Sequence, residues 1–223
     1  MGVGVVPGAL GSDNEVAQRE KLGDLPSFGS DVEPLPGPIG DDAVELADEM
    51  VVEEGIAKYD VSKVDDKTAM ANGKGATLAD LKKDLDAKVP SPKPGVSYWA
   101  KGGATKMRTQ SIPGSSPNTA KLEIHGQFFV KLPVWDDYAS GTAGAKAEWD
   151  RFLKQLRVHE MQHVAEAKKW LDKMVAEVKG QKRSESSKTI KDRSADMKTG
   201  QSTLDDNTKH GADVNAVLDT TKV

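Results

Sequence analysis

The pentapeptide HEMQH at residues 159–163 is the strongest chemical signal in the chain. His159 and His163 stand four residues apart, so on a helix their imidazoles project from the same side, one turn apart. Two imidazoles in this arrangement can bind one Zn²⁺, and Glu160 beside the first can accept a proton from a water that the metal has activated. The spacing therefore predicts zinc ligands at His159 and His163 and a general base at Glu160.

The competing interpretation is a chance motif, or a pair of core histidines with ordinary hydrogen bonds. The chain has 4 histidines in 223 residues. At that frequency the motif arises by chance in roughly one of 200 such chains. Apolar residues recur at helical spacing from Gly144 to Gly180, and the motif fills the same face between Leu156 and Val164. This inward placement favours a metal site over chance.

A catalytic zinc needs a third protein ligand and an open position for water. The chain has no cysteine, so histidine and carboxylate side chains must supply the site. Glu166 lies a full turn beyond His163 on a straight helix, which favours a salt bridge or a supporting role instead. His210 precedes a glycine that permits a tight turn, and we favour it over His125 as the third ligand.

Supporting roles fall on other polar residues. Asp205 and Thr208 precede His210 and could hold a ligand by hydrogen bonds. His125 lies on the polar face of a predicted strand, where it could contact a substrate or simply be exposed. The group that would stabilise an oxyanion is unassigned, with His125 and Tyr138 as candidates.

Charge and hydropathy limit the partners. The chain carries 31 Lys and Arg against 35 Asp and Glu, a formal net charge of −4, which gives no reason to expect nucleic acid or an anionic membrane. No apolar run approaches the roughly 20 residues of a membrane-spanning helix, so membrane insertion is not expected. The expected partner is a peptide or protein substrate, and the oligomeric state is left open.

Residues 1–40 differ from the rest of the chain. They hold five of the 11 prolines and many glycines, and this composition predicts a flexible arm, or alternatively a docking or export-recognition segment. Residues 41–223 are expected to form the domain. No basic residue precedes Arg19 and Pro7 interrupts the first apolar run, which is not typical of a signal peptide. The expected location is therefore cytoplasmic, or outside the cell by a non-classical route.

Hydrophobic periodicity and turn residues predict a mixed α+β domain. Helices are expected at 41–54, 77–89 and 144–180, and strands at 55–62, within 96–111 and at 120–132. Gly102 and Gly103 are expected to form the turn inside 96–111, and loops are expected at 65–75 and 181–188. Pro133 follows the clearest strand, 120–132, which favours an edge position for it. We expect a small, mostly antiparallel sheet packed on the long helix.

The motifs together resemble a bacterial family, a domain of unknown function, whose members are regarded as zinc-dependent and mostly secreted proteases. The resemblance spans about residues 55–215. The matching positions are Tyr59-Asp60-Val61, Thr77 to Leu81, Leu132-Pro133 with Trp135, His159 to His163, and Asp205 with Thr208, His210 and Gly211. It implies a zincin-like fold with His210 as third zinc ligand. Leu204 stands where the family prefers tyrosine.

The leading hypothesis is a zinc-dependent metallopeptidase. Its ligands would be His159, His163 and His210, and Glu160 would activate the water that attacks a peptide bond. Two alternatives use the same site differently. One is a non-catalytic zinc-binding adaptor, and the other is an exported effector whose peptidase acts in another cell.

Overall fold

A computed structural model describes residues 49–60, 64, 69–91, 97–104 and 107–223. The predicted arm at 1–40 and the helix predicted for residues 41–48 lie outside the described residues. Within them, strands and helices follow one another as β1 (Val51–Lys58), β2 (Asn72–Gly73), α1 (Leu78–Lys88), β3 (Lys101–Ala104), β4 (Arg108–Pro113), β5 (Thr119–His125), β6 (Phe128–Lys131), β7 (Val134–Trp135), α2 (Ala143–Val178) and α3 (Arg183–Asn207). Short 3₁₀ turns lie at Tyr138–Ser140 and Ala212–Val214. The class is mixed α+β, as predicted.

Helix α2 is the central element and agrees with the predicted helix at 144–180. Thr142 caps it, because its hydroxyl oxygen accepts a hydrogen bond from the backbone N–H of Ala145 at 3.2 Å. Gly180, with φ +82°, ends it in the left-handed conformation that favours glycine. One face is buried along the whole length of the helix, so the apolar period predicted both the helix and its orientation.

The sheets are smaller and more mixed than predicted. Strand β5 lies between β1, which is parallel to it, and β4, which is antiparallel. Strands β3 and β6 form an antiparallel pair, and β2 and β7 form a parallel pair. The described pairings are therefore divided equally between parallel and antiparallel.

The strand predicted at 120–132 is in fact two strands in two sheets, and the prediction of an edge position is wrong for its first half. The chain leaves the three-stranded sheet after His125, and β6 begins at Phe128. Every second position stays buried across this break, at Ile124, Gly126, Phe128 and Val130, although His125 is buried as well. Alternation alone therefore could not reveal the change of partner strand.

Other local predictions also need correction. Residues 51–54 belong to strand β1 rather than to a helix, and the loop predicted at 65–75 contains β2. Gly102 and Gly103 lie inside β3, not at a turn. A side chain at Gly102 would meet the backbone oxygen of Glu160 at 2.2 Å, so this glycine allows β3 to lie directly on α2.

The loop predicted at 181–188 is wrong, because helix α3 begins at Arg183. Its first turn is fixed by Glu185, whose carboxylate accepts a hydrogen bond from the backbone N–H of Lys182 at 3.2 Å. Ser186 is its buried residue, and Ile190 and Met197 pack against the core at half-buried positions. With so few apolar residues, the sequence of this segment has no visible helical period, and the pattern therefore does not predict the helix.

Helix α2 joins two hydrophobic clusters. The first core cluster consists of Leu78, Leu81, Leu85, Trp99, Trp135, Ala145, Trp149, Phe152, Leu153, Leu156, Ala216 and Leu218. The second core cluster consists of Tyr59, Ile124, Phe128, Val130, Val164, Ala167, Leu171 and Met174. The HEMQH segment lies on α2 between the two clusters, so packing on both sides fixes it. No helix in the described part of the chain is long and apolar enough to cross a membrane.

Candidate metal centre

The polar residues of the HEMQH motif are buried. His159, Glu160 and His163 are 3%, 5% and 6% exposed. They occupy the face of α2 that carries apolar residues on either side, as the sequence predicted. Burying three polar side chains together is costly unless they are paired or bind a cation, and their surroundings show how they are satisfied.

The two histidines converge with Asp205 of α3. The Nε2 atoms of His159 and His163 are 3.3 Å apart. The Oδ1 atom of Asp205 is 3.3 Å from Nε2 of His159 and 3.0 Å from Nε2 of His163. These three residues could hold a metal ion. Tetrahedral zinc with bonds of about 2.0–2.1 Å requires ligand atoms roughly 3.3 Å apart, so the triangle has the right size.

Gln201 fixes the proton on His163. Its amide Nε2 donates a hydrogen bond to the backbone oxygen of His163 at 2.8 Å, which directs its Oε1 atom toward Nδ1 of His163. Because that oxygen can only accept, Nδ1 must carry the proton and donate it. In the neutral imidazole, Nε2 is then left with a bare lone pair that faces Asp205.

Thr208 acts on His159 in a similar way. Its hydroxyl donates to the backbone oxygen of Leu204 at 2.8 Å, so its oxygen can only accept from Nδ1 of His159, 3.5 Å away. Nε2 of His159 therefore also presents a lone pair to the triangle. Thr208 and Gln201 together orient both histidines as metal ligands require.

The charges inside the triangle call for a cation. Burial tends to raise the pKa of Asp205, but the hydrogen bonds that His159 and His163 can donate from Nε2 when they are protonated outweigh it, and the net pKa lies below the ordinary value. Burial tends to lower the pKa of His163, yet hydrogen bonding to Asp205 and the charge of Glu160 raise it overall. Two lone pairs facing a carboxylate repel one another unless a proton or a metal ion lies between them. The donor set therefore fits a metal ion.

Glu160 lies beside the triangle and does not belong to it. Burial raises the pKa of Glu160 to about 7, although the two imidazoles and a hydrogen bond from the backbone N–H of Gly102 act to lower it. This hydrogen bond joins the carboxylate to strand β3. Glu160 is therefore held at the boundary between the buried histidines and the open space beyond β3.

His210, the predicted third ligand, lies next to the triangle. Its Nδ1 atom is 3.5 Å from Oδ1 of Asp205 and its ring contacts Tyr98, with the ring centres 5.1 Å apart. Lys209, His210 and Gly211 are consecutive left-handed residues with φ of 49°, 53° and 86°. For a non-glycine residue this conformation costs on the order of 1 kcal/mol. The turn lets Gly211 pack on the ring of His159 and keeps His210 at the site.

Three other candidates have roles elsewhere. His125 is 7% exposed and its Nε2 atom is 3.1 Å from Oε2 of Glu123 on the same strand. The hydroxyl of Tyr138 donates to Asp150 at 2.9 Å. Glu166 accepts a hydrogen bond from Trp170 at 2.8 Å and pairs with Lys169, as its spacing predicted. None of these side chains belongs to the His159–His163–Asp205 triangle.

A cleft of ≈740 Å³ opens at the site. Helix α2 forms its floor, residues 97–104 with β3 form one wall, and α3 forms the other. Sequence reasoning did not find Gln201 or Tyr98 and gave Asp205 only a supporting role. The one available signal was that Gln201 and Asp205 are four residues apart, a spacing that becomes informative only once α3 is known to be a helix.

Comparison with known proteins gives a family. A family model described as "Bacterial protein of unknown function (DUF922)" matches residues 71–211, more than half of the chain. The matched region contains the HEMQH motif and ends at Gly211, while the predicted motif at Tyr59 lies before it. No curated protein and no solved structure matches the chain. The chain therefore belongs to this bacterial family of unknown function.

Proposed function

We propose that the chain is a zinc-dependent metallopeptidase in which His159, His163 and Asp205 bind zinc and Glu160 is the general base. The observation that carries the proposal is the triangle of two Nε2 atoms and one Oδ1 atom, 3.0–3.3 Å apart, beside a buried glutamate at the end of a cleft. Two histidines and one carboxylate are also the ligands of known zinc peptidases.

The donor set supports zinc among the common metals. Imidazole nitrogen suits zinc better than it suits magnesium or calcium, which prefer oxygen ligands. Iron(II) also binds two histidines with one carboxylate, so metal analysis must distinguish iron from zinc. A bound zinc ion would polarise the substrate carbonyl and lower the pKa of water, and the remaining chemistry falls to the chain's own residues.

Glu160 moves the proton in this proposal. Its carboxylate is fixed by the N–H of Gly102, one residue along α2 from a metal-binding imidazole. From there it can take a proton from the attacking water and transfer it to the nitrogen of the leaving amine. The rings of Tyr98 and His210 are in contact at the same end of the cleft, and these two residues replace His125 and Tyr138 as candidates for stabilising the oxyanion.

Strand β3 supports binding of an extended peptide. Among the described residues it pairs only with β6, and its other side borders the cleft. A peptide could therefore add to β3 as a further strand, with backbone hydrogen bonds that place a peptide bond near Glu160. In this proposal β3, and not the strand predicted at 120–132, is the edge strand beside the cleft.

Metal content and hydrolysis test the proposal together. The purified full chain should hold one zinc per molecule and cleave peptides from a broad library. Glu160→Gln should keep zinc and thermal stability, while hydrolysis falls by about 10²–10⁴-fold. Glu166→Gln is the matched control on the same helix and should keep both properties. Zinc without any hydrolysis in the wild type would favour the adaptor alternative, and absence of zinc uptake would refute the metal site.

The third ligand requires a separate comparison. Asp205→Asn keeps the shape of the side chain but removes the charge, and we expect it to weaken zinc binding by orders of magnitude. His210→Ala should weaken zinc binding much less, because its Nδ1 atom lies beside the triangle. If His210→Ala loses zinc and Asp205→Asn does not, the ligand implied by the family resemblance is correct and the present assignment is wrong.

A further inference from the structure

We propose that the cleft selects extended peptides that carry an apolar side chain three to four residues from the scissile bond and an acidic residue between that side chain and the bond. This inference rests on the proposed function and names its substrate class. It follows from the side chains that line the two walls of the cleft. From the metal centre outward, these are first metal-binding, then cationic and then apolar.

The apolar end of the cleft is formed by residues that also pack on the second core cluster. Ala104 and Met107 come from the β3 side, and Ile190 and Met197 come from α3. All four are only partly buried, so each keeps apolar surface facing the cleft. Filling such a surface with an apolar side chain removes both surfaces from water, which stabilises the complex.

Helix α3 sets the distance between this apolar end and the metal centre. Met197 precedes Asp205 by eight residues, which is about 12 Å along a helix at 1.5 Å per residue. An extended peptide advances about 3.3 Å per residue, so 12 Å corresponds to three or four residues. Strand β3 follows the same direction, because the preceding Tyr98 contacts His210 at the metal end and Ala104 lies at the apolar end.

Two lysines lie on the metal side of the apolar end. Lys101 is three residues before Ala104 on β3. Lys198 is about 10 Å from Asp205 along α3, only slightly nearer the metal centre than Met197. Lys101 on β3 and Lys198 on α3 line opposite walls of the cleft. Both side chains are exposed, and neither makes an ion pair or hydrogen bond with another described residue. The acidic residues that line the cleft, Glu160 and Asp205, belong to the metal centre. Among the described lining residues, an acidic substrate side chain would therefore meet two unpaired cations and no competing exposed carboxylate.

Peptide binding by the zinc-loaded full-length Glu160→Gln variant tests this preference without cleavage. The probes are fluorescent ten-residue peptides that differ only in the charge at one position between the central bond and a leucine, and in the position of that leucine. Replacing the acidic residue by lysine should weaken binding about five- to tenfold at low salt, and 0.5 M salt should reduce that difference. Moving the leucine next to the central bond should also weaken binding.

Charge reversal in the protein supplies the second arm. Lys198→Glu should reverse the preference between acidic and basic peptides, while Lys83→Glu, the same change on α1 away from the cleft, should leave it unaltered. Equal binding of all probes, or no binding of any, would overturn the inference. Hydrolysis by the wild-type chain is measured separately. The proposed peptidase activity can therefore be confirmed when the peptide preference fails, and the preference can be confirmed when hydrolysis is absent.

Discussion

Helices α2 and α3 build the same site by different physical means. Helix α2 has 36 residues and buries fourteen of them, nine of which belong to the two core clusters. Helix α3 has 25 residues and buries only Ser186. The histidines and Glu160 therefore stand on an element that the hydrophobic core fixes, whereas Asp205 and Gln201 stand on one held mainly by polar contacts.

This difference separates stability from function within one domain. The contacts from α3 to α2 include ion pairs such as Arg193 with Glu177 at 2.5 Å, and the hydrogen bonds of Gln201 with His163. Such contacts contribute less than core packing when they are exposed to water. The metal centre joins the two helices, so a bound cation should stabilise α3 more than α2.

The largest expected effect tests the core of α2 directly. Leu171 is 1% exposed and belongs to the second core cluster. Leu171→Ala should lower the free energy of unfolding by about 2–5 kcal/mol, because it removes buried methyl groups and leaves a cavity. Ile190→Ala on α3 is the matched change at a half-buried position and should cost about 1 kcal/mol. Urea unfolding measures both, and equal losses would contradict the contrast between the helices.

The second prediction concerns the metal. At a zinc concentration 100 times the dissociation constant, binding should stabilise the folded chain by about 2.7 kcal/mol. Hydrogen exchange should slow most in the part of α3 near Asp205, while exchange in the middle of α2 should change little. Asp205→Asn, treated with the same zinc, provides the control and should show no slowing in α3. Equal protection of both helices would mean that α3 is already fixed without metal.

The same contrast explains what the sequence could predict. Helix α2 was predictable because residues such as Trp149, Leu156 and Leu171 recur on one face, and α1 because Thr77 caps it and leucines follow at helical spacing. Helix α3 has no comparable face, so its existence and the position of Asp205 depended on tertiary contacts that a local pattern does not contain. His159, Glu160 and His163 were therefore found together, and Gln201 was not.

A third region lies beyond α3 and is held directly by α2. Arg151 donates to the carboxylate of Glu148 at 2.7 and 2.8 Å and to the backbone oxygens of Asn215 and Val217 at 2.6 Å. Glu148 also accepts from the backbone N–H of Asp219 at 2.7 Å. This ionic clamp fastens the segment that follows the His210 turn to the better-packed helix.

The smallest expected effect is the acid dependence of this clamp. The hydrogen bond from Arg151 lowers the pKa of Glu148 below its ordinary value of 4.5, and the N–H of Asp219 adds to this although burial opposes it. A carboxylate whose pKa is lower in the folded chain stabilises the fold above the unfolded pKa. This contribution is lost as the pH falls from about 4.5 through the folded pKa. Glu148→Gln should therefore cost about 1–2 kcal/mol at pH 7 and progressively less below pH 4.5.

Urea unfolding of the wild type and Glu148→Gln at several pH values measures this difference. Glu54→Gln is the matched control, because the side chain of Glu54 is 53% exposed and its pair with Lys121 lies at the surface. If the difference in unfolding free energy between wild type and Glu148→Gln stays constant from pH 7 to pH 3, the clamp depends on packing and not on the charge of Glu148. A difference that shrinks in acid while zinc content at pH 7 is unchanged would separate this clamp from the metal centre. The segment after His210 would then be held by its contacts with α2, independently of the metal centre that α2 and α3 share.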